Sequence, residues 1–125
     1  MTRVLLIGFA GALGTLVRYG VGVWAGKTLG AGFPYGTMIV NVSGCFLIAL
    51  VGQLAIVSIV SPTLRITLTT GFMGGLTTYS SFNYETTKLF ITDGAAGTAA
   101  LNIGVTTLGC FVMGLAGIAL ARALT

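Results

Sequence analysis

From Gly94 to Ala121 the chain carries no charged residue. A helix rises about 1.5 Å per residue and the hydrocarbon core of a bilayer is about 30 Å thick. An uncharged stretch this long crosses a membrane with some tilt. In water it would have to be covered on every side, and the rest of the chain cannot cover it, because it has the same character. Hydrophobic residues make up 55% of the sequence and charged residues 6%, whereas soluble domains carry about a quarter charged residues. The mean hydropathy is +1.03. A span takes ~20 apolar residues, so a chain of 125 residues holds four spans, short loops and no soluble domain. The fold class expected is all-α integral membrane protein, one transmembrane domain over residues 1–125.

The punctuation sets the spans at about 4–25, 37–60, 64–91 and 95–122. Clustered glycine and Pro34 mark the first loop, and Asp93-Gly94 the last turn. Pro62 disfavours helical geometry at Ser61, which closes the second span. Arg3 followed by Val4-Leu5-Leu6-Ile7 looks like the start of a signal peptide, but the apolar run continues to Ala25 and reads as the first span. Four spans put both termini on one side. That side holds Arg3, Arg65 and Arg122, and the other holds Lys27 and Lys88. Three against two is a weak orienting bias, so insertion in both orientations is expected.

Few groups are left to carry chemistry. The net charge of +4 comes from scattered residues with no basic run, which gives nucleic-acid binding no support. There is no histidine, hence neither the commonest general base nor a common metal ligand. Cys45 and Cys110 have no CxxC spacing and are expected as small, buried, reduced side chains. With no nucleophile–base pair or ligand cluster, the chain is not expected to be an enzyme.

What polarity there is falls in patterns. In the first span Gly8, Gly11, Thr15, Arg18 and Gly22 share a face, which predicts close helix packing with Arg18 turned into protein. In the third span Gly74-Gly75 and Thr77-Thr78 stand at mid-depth, where the helix can unwind. Non-helical backbone at that depth must be buried in protein or face a cavity, and discontinuous helices commonly supply ion sites. Thr37, Asn41 and Gly44 share a face of the second span, and Asn102, Thr106 and Cys110 follow at four-residue steps in the fourth. Beyond the glycines, Ser81 aligns with Glu85, and Lys88 sits near enough to pair with that carboxylate. Each polar group alone reads more readily as interhelical glue; three stripes around a broken helix read as a path. Tyr79 and Phe82 straddle Ser80 and Ser81. The positive edge of an aromatic ring can face an anion, and ordinary apolar packing is the alternative.

The run Gly71-Phe72-Met73-Gly74-Gly75-Leu76-Thr77-Thr78-Tyr79-Ser80-Ser81-Phe82 closely resembles the signature of the CrcB/Fluc family of fluoride channels. Gly8, Gly11, Gly14 and Arg18-Tyr19 in the first span, and Gly36-Thr37, Asn41 and Gly44 in the second, resemble that family's pattern too. The resemblance covers the whole chain. It implies a passive fluoride-selective channel of the cell's inner (plasma) membrane that relieves fluoride toxicity. It further implies an antiparallel, dual-topology homodimer with two pores and a structural sodium ion at its centre. Matching position by position, Gly74 and Thr77 would give carbonyls to the sodium. Asn41, Tyr79, Ser80, Phe82 and Thr106 would line the fluoride pore, and Arg18 would stand at a vestibule or act as an anchor. Tyr79 departs from the phenylalanine usual there. Two other readings compete. A small dual-topology, proton-coupled efflux transporter needs a membrane-buried acid, for which only Glu85 is available. A structural subunit of a larger complex would conduct nothing alone.

Overall fold

The computed structural model describes residues 1–125, and every regular element in it is helical. Three helices are long and apolar enough to cross a membrane: α1 (Thr2–Thr28), α2 (Tyr35–Ile56) and α6 (Ala96–Ala123). The remaining crossing is assembled from pieces. It comprises α3 (Pro62–Ile66), a π-helical segment (Thr67–Met73), α4 (Gly74–Leu76) and α5 (Tyr79–Ile91).

The ends have local causes. Gly30, with φ +88°, follows the last turn of α1, which runs on through Lys27 past the expected end. α2 stops at Ile56, four residues before the expected Val60. There Ser58 turns left-handed (φ +61°), its N–H bonds Ala55 O at 3.2 Å, and Ile59 N–H bonds Leu54 O at 3.1 Å. This is a Schellman closure, which satisfies the last carbonyls with a single residue in the αL region. Pro62 therefore opens the next helix and does not close the previous one: Ser61 caps it, its hydroxyl accepting from Leu64 N at 3.3 Å.

The widened turn in the third crossing coincides with a run of threonines. Thr67 and Thr69 donate their hydroxyls to the carbonyls of Thr63 and Arg65, at 2.8 and 2.9 Å. Such back-bonding competes with the backbone for the same acceptors and bends helices. Helical dihedrals end at Thr77 (φ −85°, ψ 155°) and Thr78 (φ −155°, ψ 114°) and resume at Tyr79. Gly74 and Gly75, which by composition look like the weak point, are helical.

Packing explains the second of those glycines. A methyl on Gly75 would overlap the Gly11 carbonyl oxygen, and one on Gly14 the Phe72 carbonyl oxygen. Here α1 and the third crossing touch backbone to backbone, as small residues permit in lipid. Gly14 thus belongs to the packed face of α1, whereas Gly8, expected on it, meets nothing within 4 Å. α2 pairs most extensively with α6, and α5 also rests on α6. Only 15 of 125 residues are buried, among them Asn41, Thr78, Asn102 and Thr106. Many large apolar residues face outward, and small, apolar and polar residues share the interior, as suits a chain whose solvent is hydrocarbon.

Candidate functional site: a polar interior beside the interrupted crossing

The interruption at Thr77–Thr78 leaves backbone groups that lipid cannot satisfy. Asn41 of α2 meets two of them. Its Nδ2 donates to Thr78 O at 3.0 Å, and its Oδ1 accepts from Thr78 N at 2.7 Å. The side-chain amide pairs with Thr78 as a neighbouring strand would. Thr78 in turn caps α5, its hydroxyl oxygen accepting from Ser81 N at 3.2 Å and donating to Ser81 Oγ at 3.1 Å. The Thr77 side chain donates back to Met73 O at 2.9 Å, while the Thr77 carbonyl accepts none of the hydrogen bonds outside the helices. A free carbonyl oxygen is a hard donor, suited to a hard cation.

Three hollows follow one another along this polar seam. One of about 380 Å³ adjoins the interruption and gathers Asn41, Thr77, Tyr79, Phe82 and Thr106 along with Cys45 and Cys110. A groove of about 470 Å³ holds Arg18, Thr37, Thr78 and Ser81. A third, of about 250 Å³, is bordered by Thr37, Glu85, Lys88 and Asp93. Thr78 is common to the first and second, and Thr37 to the second and third.

Of the residues predicted to line a pore, Asn41, Tyr79, Phe82 and Thr106 share one hollow. The Tyr79 and Phe82 rings are 5.8 Å apart, tilted by 47°. Tyr79 is 78% exposed in the single chain. Ser80 stands outside the hollow, exposed, with its hydroxyl 3.2 Å from that of Thr78. Gly74 is also exposed, one turn before Thr77. Arg18 is half-buried and lines the groove, not a close helix contact.

Residues outside the predicted set complete the network. Thr106 donates to Asn102 Oδ1 at 3.1 Å, Asn102 Nδ2 to Thr86 Oγ1 at 2.8 Å, and Thr86 to Phe82 O at 2.6 Å. Asn102, almost fully buried, thereby ties α6 to α5; its four-residue spacing from Thr106 is the sequence signal for it. Glu85 does not pair with Lys88. Its Oε1 accepts from Thr37 Oγ1 at 2.8 Å, and its buried Oε2 has no hydrogen-bond partner.

Comparison with known proteins identifies the family. The family described as CrcB-like protein, Camphor Resistance (CrcB), matches residues 5–118. A protein of Sorangium cellulosum (strain So ce56) named fluoride-specific ion channel FluC is 49% identical over 126 positions, covering 99% of this chain and 98% of the relative. Proteins of the same name from Geotalea daltonii and Anaeromyxobacter sp. (strain K) are 47% and 46% identical, each covering 98% of this chain and 98% and 97% of the relative. The apolar helices, the motif order and these full-length matches place the chain in the CrcB-like family of multi-pass membrane proteins.

Proposed function

We propose that this protein is a passive fluoride-selective channel, and that the hollow gathering Asn41, Tyr79, Phe82 and Thr106 is part of the fluoride path. The observation that carries this is the convergence of those four side chains beside an interrupted, membrane-spanning backbone. The full-length relatives named as fluoride channels support it.

Fluoride is small and strongly hydrated, so a path must replace its water with donors. Asn41 has two N–H groups on Nδ2. One is committed to Thr78 O, which leaves the other for an anion. The Tyr79 and Phe82 rings offer positive edges, and the Tyr79 phenol adds a donor where a phenylalanine would have none. Thr106 and Ser80 have hydroxyls that rotate, so each can exchange its protein partner for the ion. Arg18, half-buried in the adjoining groove, draws anions toward the interior. Chloride is larger, and a site sized for fluoride would exclude it.

The working unit is an antiparallel homodimer in the plasma membrane with two pores, exporting fluoride to relieve its toxicity. Tyr79, Ser80 and Gly74 are exposed, and the Thr77 carbonyl is unpartnered, at a depth where lipid offers no hydrogen bonds. A second copy covers that face. The interruption at Thr77–Thr78 is the mid-membrane break, and the Gly74 and Thr77 carbonyls of each copy hold a sodium ion at the dimer centre. A sodium ion there supplies positive charge that offsets repulsion among converging carbonyls. The nearly balanced Arg and Lys distribution suits insertion in both orientations.

Proton-coupled efflux is favoured by one observation, the buried Glu85 carboxylate with an unpartnered oxygen. One experiment separates the readings. Liposomes containing only this protein are loaded with potassium fluoride and followed with a fluoride electrode. A channel moves net charge, so release should wait for valinomycin and then be rapid, and potassium chloride loading should give negligible release. Rapid release before valinomycin would indicate electroneutral cotransport of fluoride with a proton, and valinomycin-dependent release that makes the medium alkaline would indicate electrogenic exchange for protons. No release from well-folded protein in either condition would overturn both readings.

A further inference from the structure

The two cysteines lie on neighbouring helices at one level. Cys45 is on α2 and Cys110 on α6, the two helices in most extensive contact. Small residues hold these helices close. A methyl on Gly109 would come within 3.1 Å of Val42 Cγ2, and one on Gly117 would overlap the Phe46 carbonyl oxygen. That register, with the Cys45 carbonyl oxygen 4.0 Å from where a methyl on Gly114 would sit, one turn beyond Cys110, puts both cysteines on the walls of the same two hollows. Both are free and half-buried.

Their surroundings differ on the two sides. Toward the interruption they border the 380 Å³ hollow with Asn41 and Thr106. On the other side they border an apolar hollow of about 340 Å³ with Phe111 and Leu115, which are 66% and 53% exposed. Ile48 and both cysteines are common to the two hollows. A dithiol with an apolar recess beside it matches a reagent that has one soft, divalent attachment point and one apolar group.

We propose that Cys45 and Cys110 form a single bidentate site for thiophilic electrophiles bearing an apolar group, of which trivalent aryl-arsenicals are the type. The reaction is R–As=O + 2 R′SH → R–As(SR′)₂ + H₂O. Two S–H bonds break and two As–S bonds form. The oxygen leaves as water with both thiol protons, and no electrons are transferred. The aryl ring seats against Phe111 and Leu115. The chain has no other cysteine, so no other thiol competes for the As–S bonds. The proposal stands independently of what the pore conducts.

The test uses the purified full chain and phenylarsine oxide, in the presence of excess glutathione. N-ethylmaleimide is added afterwards under denaturing conditions, and the intact mass is measured. A chelate held by two thiols survives excess monothiol, whereas a single As–S bond exchanges. The expected result is one phenylarsenic group per single chain and no maleimide. Pretreatment with 2,3-dimercaptopropanol should restore two maleimide additions. Cys45→Ala and Cys110→Ala should each lose the arsenical and gain one maleimide. Full alkylation of both thiols in the treated wild-type chain would overturn the proposal. So would an adduct that persists in either single-cysteine variant, or one that joins two chains. The readout is mass, so its failure leaves the fluoride result untouched, and the reverse.

Discussion

The seam between α2 and α6 and the interrupted third crossing draw on the same residues, glycine, threonine and aliphatics, with opposite results. In the seam both helices run unbroken, and Gly117 lets them approach until a side chain on one nearly meets backbone on the other. In the third crossing Gly75 gives the same close approach to α1, yet two residues later the helix opens. The difference lies in the backbone's partners. Every turn of α2 and α6 satisfies its own polar groups. At Thr78 the backbone takes its partner from Asn41. Near Gly117 the α2–α6 seam contributes packing alone, while at the level of Asn41 and Thr106 its side chains line the hollow. The third crossing also exposes polar groups to a hollow at membrane depth, where a channel needs them.

The comparison is broken most severely at Asn41. Asn41→Leu is close in size but leaves Thr78 N–H and C=O unpaired. Each buried unpaired group costs about 1–3 kcal/mol, so destabilisation of about 2–6 kcal/mol is expected. Fluoride efflux per folded protein should fall more than about tenfold, since only about 1.4 kcal/mol corresponds to a factor of ten. Thermal unfolding in detergent and the liposome assay read the two effects separately. Asn41→Asp sharpens the point, because it keeps the acceptor for Thr78 N–H and loses the donor to Thr78 O. Unchanged efflux in both variants would remove Asn41 from the path and from support of the interruption.

How much of this is readable in the sequence follows from the range of each interaction. The spans are legible because lipid demands long apolar runs whatever the neighbours. The polar stripes are legible because helical spacing puts Thr37, Asn41 and Gly44 on one face. The place where the helix opens is legible only as the stretch from Gly74 to Thr78. Within it Gly75 serves contact with α1, and the opening falls at Thr77–Thr78, where Asn41, 37 positions before Thr78, can pair with backbone. Glu85 is similar. Lys88 is its neighbour along the helix, yet its partner, Thr37, lies 48 positions away. Local spacing gives the faces of helices. It cannot say which face of another helix arrives there.

A smaller effect is expected in the seam. Gly117→Ala places a methyl against the Phe46 carbonyl oxygen, with Leu50 N at 3.1 Å and Ala49 Cβ at 3.2 Å. Backbone on the far side cannot rotate away, so α2 and α6 must separate slightly. Overpacking of this kind costs about 1–3 kcal/mol. Because the seam near Gly117 carries packing and no exposed backbone, the midpoint of thermal unfolding should fall while efflux per folded protein stays within about threefold, a change of less than 1.4 kcal/mol. A loss of flux as large as that of Asn41→Leu would show that the α2–α6 seam governs conduction too.

The smallest effect separates glycine as a contact from glycine as mere composition. Gly104 lies on α6 between Asn102 and Thr106, and a methyl there meets nothing within 4 Å. Alanine is also the better helix former, by about 1 kcal/mol in a helix interior. Gly104→Ala should therefore leave stability unchanged within about 0.5 kcal/mol or raise it slightly. Were the second copy of the proposed homodimer to press on this face, the methyl would meet it, and a dimer would dissociate at higher protein concentration on size-exclusion chromatography. An unchanged elution profile would remove the Gly104 face from the proposed contact and leave the side of Gly74, Tyr79 and Ser80 as its candidate.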